Sequence, residues 1–76
     1  MCLPVAGRIV ELRALQPGLA VVDIDGILRD VNVSLLSAPP LAGDWLLVHL
    51  GFAVEAISPH RAAEVMDTRR QARAGA

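Results

Sequence analysis

Apolar and polar residues alternate through most of the first 57 positions, in short runs that end at turn signals. Alternation over such lengths, with many β-branched residues, is typical of strands. Asp25-Gly26 lies between two of the runs and predicts a two-residue hairpin turn, because a type I′ turn needs positive φ at both central residues. Gly51 separates the last two runs and predicts a bend or a bulge. The predicted strands cover residues 5–13, 19–24, 27–33, 45–50 and 52–57.

The pattern changes twice outside these runs. Residues 34–44 contain Pro39-Pro40 and Gly43, which predict a loop that crosses between sheet edges, with a short helical turn at Leu35-Leu36. Ser58-Pro59 then predicts a helix start, since serine is a good N-cap and proline at the first helical position sacrifices no hydrogen bond. A narrow apolar stripe follows at three- and four-residue spacing, formed by Ala62, Val65, Met66 and Arg69.

These elements predict a mainly β protein: a small five-stranded, OB-like barrel with one C-terminal α-helix. Closing the sheet removes the edges that would otherwise aggregate. We expect a single domain over residues 1–76, with the barrel at about 1–57 and the helix at about 59–73. The helix is expected to cover one opening or flank of the barrel.

The composition favours protein partners over other kinds. Hydrophobic residues make up 54% of the 76 residues and the mean hydropathy is +0.49, so a chain this small must leave apolar surface exposed. A net charge of −1 gives no clustered positive charge for nucleic acid or an anionic membrane. No apolar run is long enough to span a membrane, and the single cysteine implies no disulfide, so we expect a cytoplasmic protein.

Cys2 is the only thiol and directly follows the initiator methionine. If Met1 is removed, Cys2 carries a thiol beside an α-amine, and nearby positive charge would favour the thiolate that binds soft metals. Alternatively, Cys2 is a small hydrophobic residue that folds onto the barrel. The residue types alone leave both interpretations open.

His49 lies near the end of the fourth predicted strand. Alternation places Trp45, Leu47 and His49 on one face and Leu46, Val48 and Leu50 on the other, and both faces are mainly apolar. This strand is therefore expected either to be central in the sheet or to have its outer face in contact with another part of the structure. His49 is either a hydrogen-bonded interior histidine or a group beside Cys2 that tunes the pKa of the thiol or shares a metal with it. Two ligands do not close a structural zinc site.

No motif in the sequence indicates an enzyme. Paired catalytic carboxylates, a glycine-rich phosphate loop and a nucleophile elbow are all missing from the pattern, and turn chemistry accounts for Asp23, Asp25 and Asp30. Two other functions fit a small barrel. One is an interaction scaffold with an inert Cys2, and the other is an OB-type binder of single-stranded nucleic acid, which would need stacking aromatics that this chain has only in Trp45 and Phe52.

Several short motifs together resemble the HypC/HupF family of NiFe hydrogenase assembly chaperones. The motifs are Met1-Cys2-Leu3, Gly7-Arg8-Ile9-Val10, Gly26 with Arg29 and Val31, and residues 43–53, GDWLLVHLGFA. The terminal Met-Cys combined with this last stretch is specific, and the resemblance runs from Met1 through the helix. The sequence departs from the family pattern at Ala6, where the family has proline before the glycine.

The resemblance implies an OB-like barrel that is not an enzyme. It implies that Cys2, with His49 at the same site, helps to hold an iron that carries cyanide and carbon monoxide, Fe(CN)2CO, transiently and shared with a HypD-type iron–sulfur maturation protein. The chaperone then delivers this group to the precursor of the hydrogenase large subunit. We expect the partners to dock at the N-terminal surface formed by Cys2, Leu3, Pro4 and Val5.

Overall fold

Five strands and one helix form in the predicted order, each boundary within one residue of its expected position. The computed structural model describes residues 3–13 and 15–74, with side chains through Gln71, so Met1 and Cys2 lie outside the described residues. The elements are β1 (Val5–Leu12), β2 (Leu19–Ile24), β3 (Ile27–Asn32), β4 (Trp45–His49), β5 (Phe52–Ile57) and α1 (Pro59–Ala74).

The strands form a closed barrel in the order β1-β2-β3-β5-β4, with β4 pairing back onto β1. All neighbours are antiparallel except β3 and β5, which run parallel and pair only at Asn32 and Phe52. The predicted mainly β fold, a five-stranded barrel followed by one helix, is confirmed. The barrel closes weakly at one junction, because one parallel pair carries the contact between β3 and β5.

The barrel interior is filled by aliphatic side chains from the inward-facing positions of all five strands. Gly7 lies in the wall of this core, where a Cβ would collide with Val22 Cγ1 and lie 2.9 Å from Ile24 Cγ1. Only glycine lets β1 pass so close to β2 at this point. The buried core residues are Ile9, Ala20, Val22, Val31, Val33, Leu46, Val48 and Ala53.

A second, smaller core joins α1 to the outer face of β1 and β4. Ala6, Ala62 and Val65 are buried there, and Trp45 and Leu47 pack against them. This packing explains why β4 is apolar on both faces, as the sequence indicated. The Ser58 Oγ accepts a hydrogen bond from the Arg61 N–H at 3.0 Å, which confirms the predicted cap.

Two hairpin turns share one backbone conformation. Asp25 and Gly26 have φ of 54° and 84°, as the sequence predicts for a type I′ turn. Leu50 and Gly51 have φ of 53° and 82°, and the flanking residues of β4 and β5 pair across them. The prediction of a bend or bulge at Gly51 is therefore wrong: it belongs to a second two-residue turn, and the bulge lies in β5 at Val54.

The loop from β3 to β4 is tied to β1 rather than left loose. Gly43 has φ of 94°, and the Asp44 carboxylate accepts a hydrogen bond from the Leu41 N–H at 2.9 Å. The backbone of Ile9 then exchanges hydrogen bonds with Gly43 and Asp44 at 2.8 and 2.9 Å. Gly43 and Asp44 of the quoted motif thus shape the loop. The expected helical turn at Leu35-Leu36 is a single turn, closed by the Leu36 N–H on the Val33 carbonyl.

Candidate functional site

A cleft of about 320 Å³ opens at one end of the barrel. β1 and β3 begin at this end, β2 and β4 finish there, and the Leu50-Gly51 turn forms part of its rim. The cleft lies beside the poorly paired junction of β3 and β5, where the barrel wall is least continuous. Its floor is apolar and is formed by Val5, Ile24, Val31 and Val48, and its polar side chains are Arg29, Asp30, His49 and Arg69.

His49 stands half-buried at the cleft, as the last residue of β4. Its imidazole makes no hydrogen bond within the described part of the chain. This position disfavours the interpretation of His49 as a hydrogen-bonded interior residue. A half-buried imidazole that lines a cleft can donate or accept a hydrogen bond there, or ligate a metal.

The N-terminal segment reaches the same cleft. Leu3 lines it, and Leu3 and Pro4 also line a neighbouring groove of about 210 Å³ against α1. Leu3 and Pro4 are exposed, whereas Val5 is partly buried against the barrel core. Cys2, the predicted metal ligand, lies outside the described residues, but the residue that follows it shares a cleft with His49.

Ion pairs neutralise some of the charges around the cleft. Arg69 on α1 pairs with Asp25 in the β2–β3 turn, and Arg13 pairs with Asp30 at 2.9 Å. The hydrogen bond and the charge of Asp30 raise the pKa of Arg13 above its ordinary value. Arg29 has no carboxylate partner among the residues described, so the cleft carries excess positive charge.

The sequence reasoning missed the contribution of these arginines to the site. Arg69 continues the apolar stripe of α1, and an arginine in a buried stripe signals a side chain that reaches across an interface. Arg29 alternates with Val31, so it occupies the inward-facing phase of β3. A charged residue at a strand position predicted to face the barrel interior was the sequence signal that could have identified Arg29 as part of the site.

The described residues do not form a metal centre by themselves. Within residues 3–13 and 15–74, no group of three or more histidine, cysteine or carboxylate side chains is placed to hold an ion. Asp30 is the cleft's one carboxylate among these residues and is engaged by Arg13. A metal at this cleft would need ligands from outside the described part of the chain or from a second molecule.

The cleft is bordered by exposed apolar side chains. Leu50 is 75% exposed at the tip of its turn and Leu3 is 43% exposed beside it. Trp45, by contrast, is taken up by the contact with α1, which removes it as a stacking surface for nucleic-acid bases. In the described portion of the chain, no helix has the length and apolarity that crossing a membrane requires.

Comparisons with known proteins agree with the motif analysis. The HupF/HypC family model matches residues 1–68. The chain is 38% identical over 74 residues to hydrogenase maturation factor HybG of Escherichia coli (strain K12), covering 93% of this chain and 90% of that protein. It is 38% identical over 66 residues to hydrogenase maturation factor HypC of Cupriavidus necator, covering 87% and 70%. It is 36% identical over 73 residues to HypC of Rhodobacter capsulatus, covering 92% and 76%.

Proposed function

This chain belongs to the HupF/HypC family, and on that premise we propose that it is a hydrogenase maturation chaperone that carries an iron group to its client. The cargo is Fe(CN)2CO, and the client is the precursor of a NiFe hydrogenase large subunit. A HypD-type iron–sulfur protein is the partner on which the group is assembled. The chain acts in the cytoplasm by binding and transfer and catalyses no reaction of its own.

The arrangement around His49 is the observation that supports this proposal. Consecutive Cα atoms are about 3.8 Å apart, so Cys2 is one residue's length from Leu3, which lines the His49 cleft. The Cys2 thiolate and the His49 imidazole are then the two groups this chain offers to the iron. Two ligands leave the iron's remaining positions for its diatomic ligands and for a partner's side chain.

An incomplete ligand set suits a carrier. A closed site of four protein ligands holds a metal permanently, whereas a shared site releases it when the partner's ligand is exchanged. Cys2 must lose its proton to bind iron, and the positive charge of the cleft favours that thiolate. His49 would contribute a ring-nitrogen lone pair to the iron.

The exposed apolar side chains around the cleft supply the docking surface in this proposal. Leu3, Pro4 and Leu50 surround the opening, so a partner that covers them would also exclude water from the iron. Apolar area that a monomer leaves exposed is typical of an interaction site. Cys2, Leu3, Pro4 and Val5 would form the N-terminal part of this contact, with Val5 contributing mainly to the cleft floor.

The test is anaerobic co-production of the chain with its maturation partners, followed by purification and infrared spectroscopy for cyanide and carbonyl bands. Wild-type protein is expected to carry the bands, and Cys2→Ser is expected to lose them. His49→Ala is expected to reduce their intensity severely. His60→Ala is a matched control, because it removes the other histidine at an exposed position near the start of α1.

Circular dichroism and thermal unfolding should be the same for the Cys2 variant and the wild type, because the proposal gives Cys2 a ligand role. Retention of the bands by Cys2→Ser would refute Cys2 as a ligand of the iron. Absence of the bands from the wild type would refute the carrier proposal and leave an interaction scaffold with an inert thiol. Measuring the alkylation rate of the Cys2 thiol separates these two functions independently. A reactive thiol supports the carrier, and an unreactive one supports the scaffold.

A further inference from the structure

Arg29 occupies a position that the barrel core would normally give to an aliphatic side chain. It pairs across the sheet with Val22, which is fully buried, and alternates on β3 with Val31, which is also buried. Its side chain therefore leaves β3 on the inner face, at the open end of the barrel, and lines the cleft beside His49. An arginine here can lay its aliphatic stem over the core and extend the guanidinium into the cleft.

The charge around Arg29 is unbalanced. Arg69 is paired with Asp25 and Asp30 is paired with Arg13, so these four charges are already compensated. Arg29 has no carboxylate partner in the described ranges, and its guanidinium is the uncompensated charge lining the cleft. Such a site repels a bare divalent cation and attracts an anion.

The geometry also suits one type of anion. A guanidinium presents several N–H donors in a plane and accepts no hydrogen bond, so it matches a ligand with exposed nitrogen or oxygen lone pairs. Cyanide bound to iron through carbon exposes a nitrogen lone pair and carries negative charge. Arg29 is exposed at the edge of the cleft, above its apolar floor, so its guanidinium is accessible to such a ligand.

We propose that Arg29 recognises the cyanide ligands of the iron group, so that the His49 cleft accepts a cyanide-bearing iron complex and rejects bare ferrous ion. This inference rests on the proposed carrier function and adds a selectivity residue to it. Arg29 contacts the ligands of the iron and leaves the iron itself to Cys2 and His49. A different role for Arg29, protecting the edge of β3 from aggregation with an inward charge, predicts no selectivity between these probes.

The test uses hexacyanoferrate(II), in which all six iron positions are filled by cyanide. Neither Cys2 nor His49 can ligate this iron, so binding reports only recognition of the cyanide ligands. Titration of the full, reduced chain at constant ionic strength, followed by NMR, should shift the signals of Arg29, His49 and Gly51. Arg29→Lys keeps the charge and loses the planar donors, and Arg70→Lys is the matched control on an exposed part of α1 outside the cleft.

Arg29→Lys is expected to weaken hexacyanoferrate(II) binding by about tenfold, the effect of losing one charged hydrogen bond. Arg70→Lys is expected to leave it unchanged. Arg29→Gln should weaken hexacyanoferrate(II) further, and it should strengthen binding of bare ferrous ion roughly threefold because one repelling charge is gone. If Arg29 had a purely structural role, its replacement would not weaken the binding of hexacyanoferrate(II) while strengthening the binding of ferrous ion.

Three results would overturn the inference: no localised shifts in the wild type, equal affinity in the wild type and Arg29→Lys, or equal losses in Arg29→Lys and Arg70→Lys. Cys2→Ser separates this inference from the carrier function. It should bind hexacyanoferrate(II) like the wild type while losing the infrared bands of the natural cargo. If Arg29→Lys binds hexacyanoferrate(II) as the wild type does and Cys2→Ser loses the infrared bands, the carrier function stands and the role of Arg29 is refuted.

Discussion

The two hairpin turns at the open end of the barrel have almost the same backbone and very different residues. Asp25-Gly26 places an aspartate in the first left-handed position, where aspartate is tolerated, and its carboxylate pairs with Arg69. Leu50-Gly51 places a leucine in the equivalent position, where it is 75% exposed. Asp25 in the first turn stabilises the fold, whereas Leu50 in the second turn does not.

Leucine at Leu50 opposes folding in two ways. A left-handed conformation costs a residue with a Cβ roughly 1 kcal/mol relative to glycine, and an exposed leucine gains nothing from burial. Asparagine or aspartate would suit the conformation better. The proposed partner contact would account for a residue that is unfavourable for the isolated chain and lies beside His49. Comparing the turns therefore separates positions that specify the fold from positions that serve binding.

Among the turn variants, we expect the largest effect when Asp25 of the first turn is replaced by leucine, the residue at the equivalent position of the second turn. Asp25→Leu introduces the left-handed strain and removes the pair with Arg69, and it should lower the free energy of unfolding by about 1–2 kcal/mol. Urea unfolding followed by Trp45 fluorescence measures this, because Trp45 lies between the barrel and α1. No loss of stability would contradict the assignment of Asp25 to the fold.

The two glycines provide the next test, because they differ little in φ and both face open space. A Cβ added at Gly26 or Gly51 would meet no atom within 4 Å, so the cost of alanine at either position is conformational only. Gly26→Ala and Gly51→Ala should each destabilise the protein by about 1 kcal/mol. Gly7→Ala is the contrasting variant and should cost more, since its Cβ would collide with Val22. Unequal losses at Gly26 and Gly51 would show that the turns are not equivalent.

Leu50→Asn should change stability and binding in opposite directions. Asparagine followed by Gly51 is the preferred pair for this turn, so the free energy of unfolding should rise by about 0.5–1 kcal/mol. Capture of the maturation partner in a pull-down should fall, because an apolar contact beside His49 is lost. Gln71→Asn on the exposed face of α1 is a control that should leave capture unchanged. Full capture by Leu50→Asn would place the partner elsewhere.

The smallest effect isolates the ion pair of the first turn. Asp25→Asn keeps a side chain that tolerates positive φ and removes only the charge that faces Arg69. The loss should be about 0.5 kcal/mol or less, and high salt should abolish the difference, because partly exposed ion pairs are screened. Unfolding in low and high salt measures it. A salt-independent loss would mean that Asp25 acts through something other than charge.

Local chemistry made most of the fold predictable from sequence. Asp25-Gly26 and Ser58-Pro59 each carry a residue preference that belongs to one backbone geometry, and the structure forms both as expected. The Leu50-Gly51 turn was missed because leucine has no such preference there. Its conformation follows from the pairing of β4 with β5, which is a property of the whole barrel.

The site was predictable only in part, for the same reason. His49 stands out in the sequence because histidine is rare in this chain and alternation places it on a strand face. Its neighbours Arg29 and Arg69 come from β3 and α1 and meet it only when the barrel closes. The spacing of these three residues along the chain does not predict that they line the same cleft. Cys2 remains a prediction, since it lies outside the described residues.

The single pair between β3 and β5 has a consequence for the motions of the barrel. The Asn32 N–H points away from β2 and donates a hydrogen bond to the Gly51 carbonyl. Backbone N–H groups alternate in direction along a strand, so the N–H groups of Leu28 and Asp30 point to the same side as that of Asn32. No strand pairs with them there among the residues described. Hydrogen–deuterium exchange should therefore be fast at Leu28 and Asp30 and slow at Arg29 and Val31, whose N–H groups face β2. Widening the cleft at this junction would break the hydrogen bond between Asn32 and Gly51 and would leave every rung of the ladder between β2 and β3 intact.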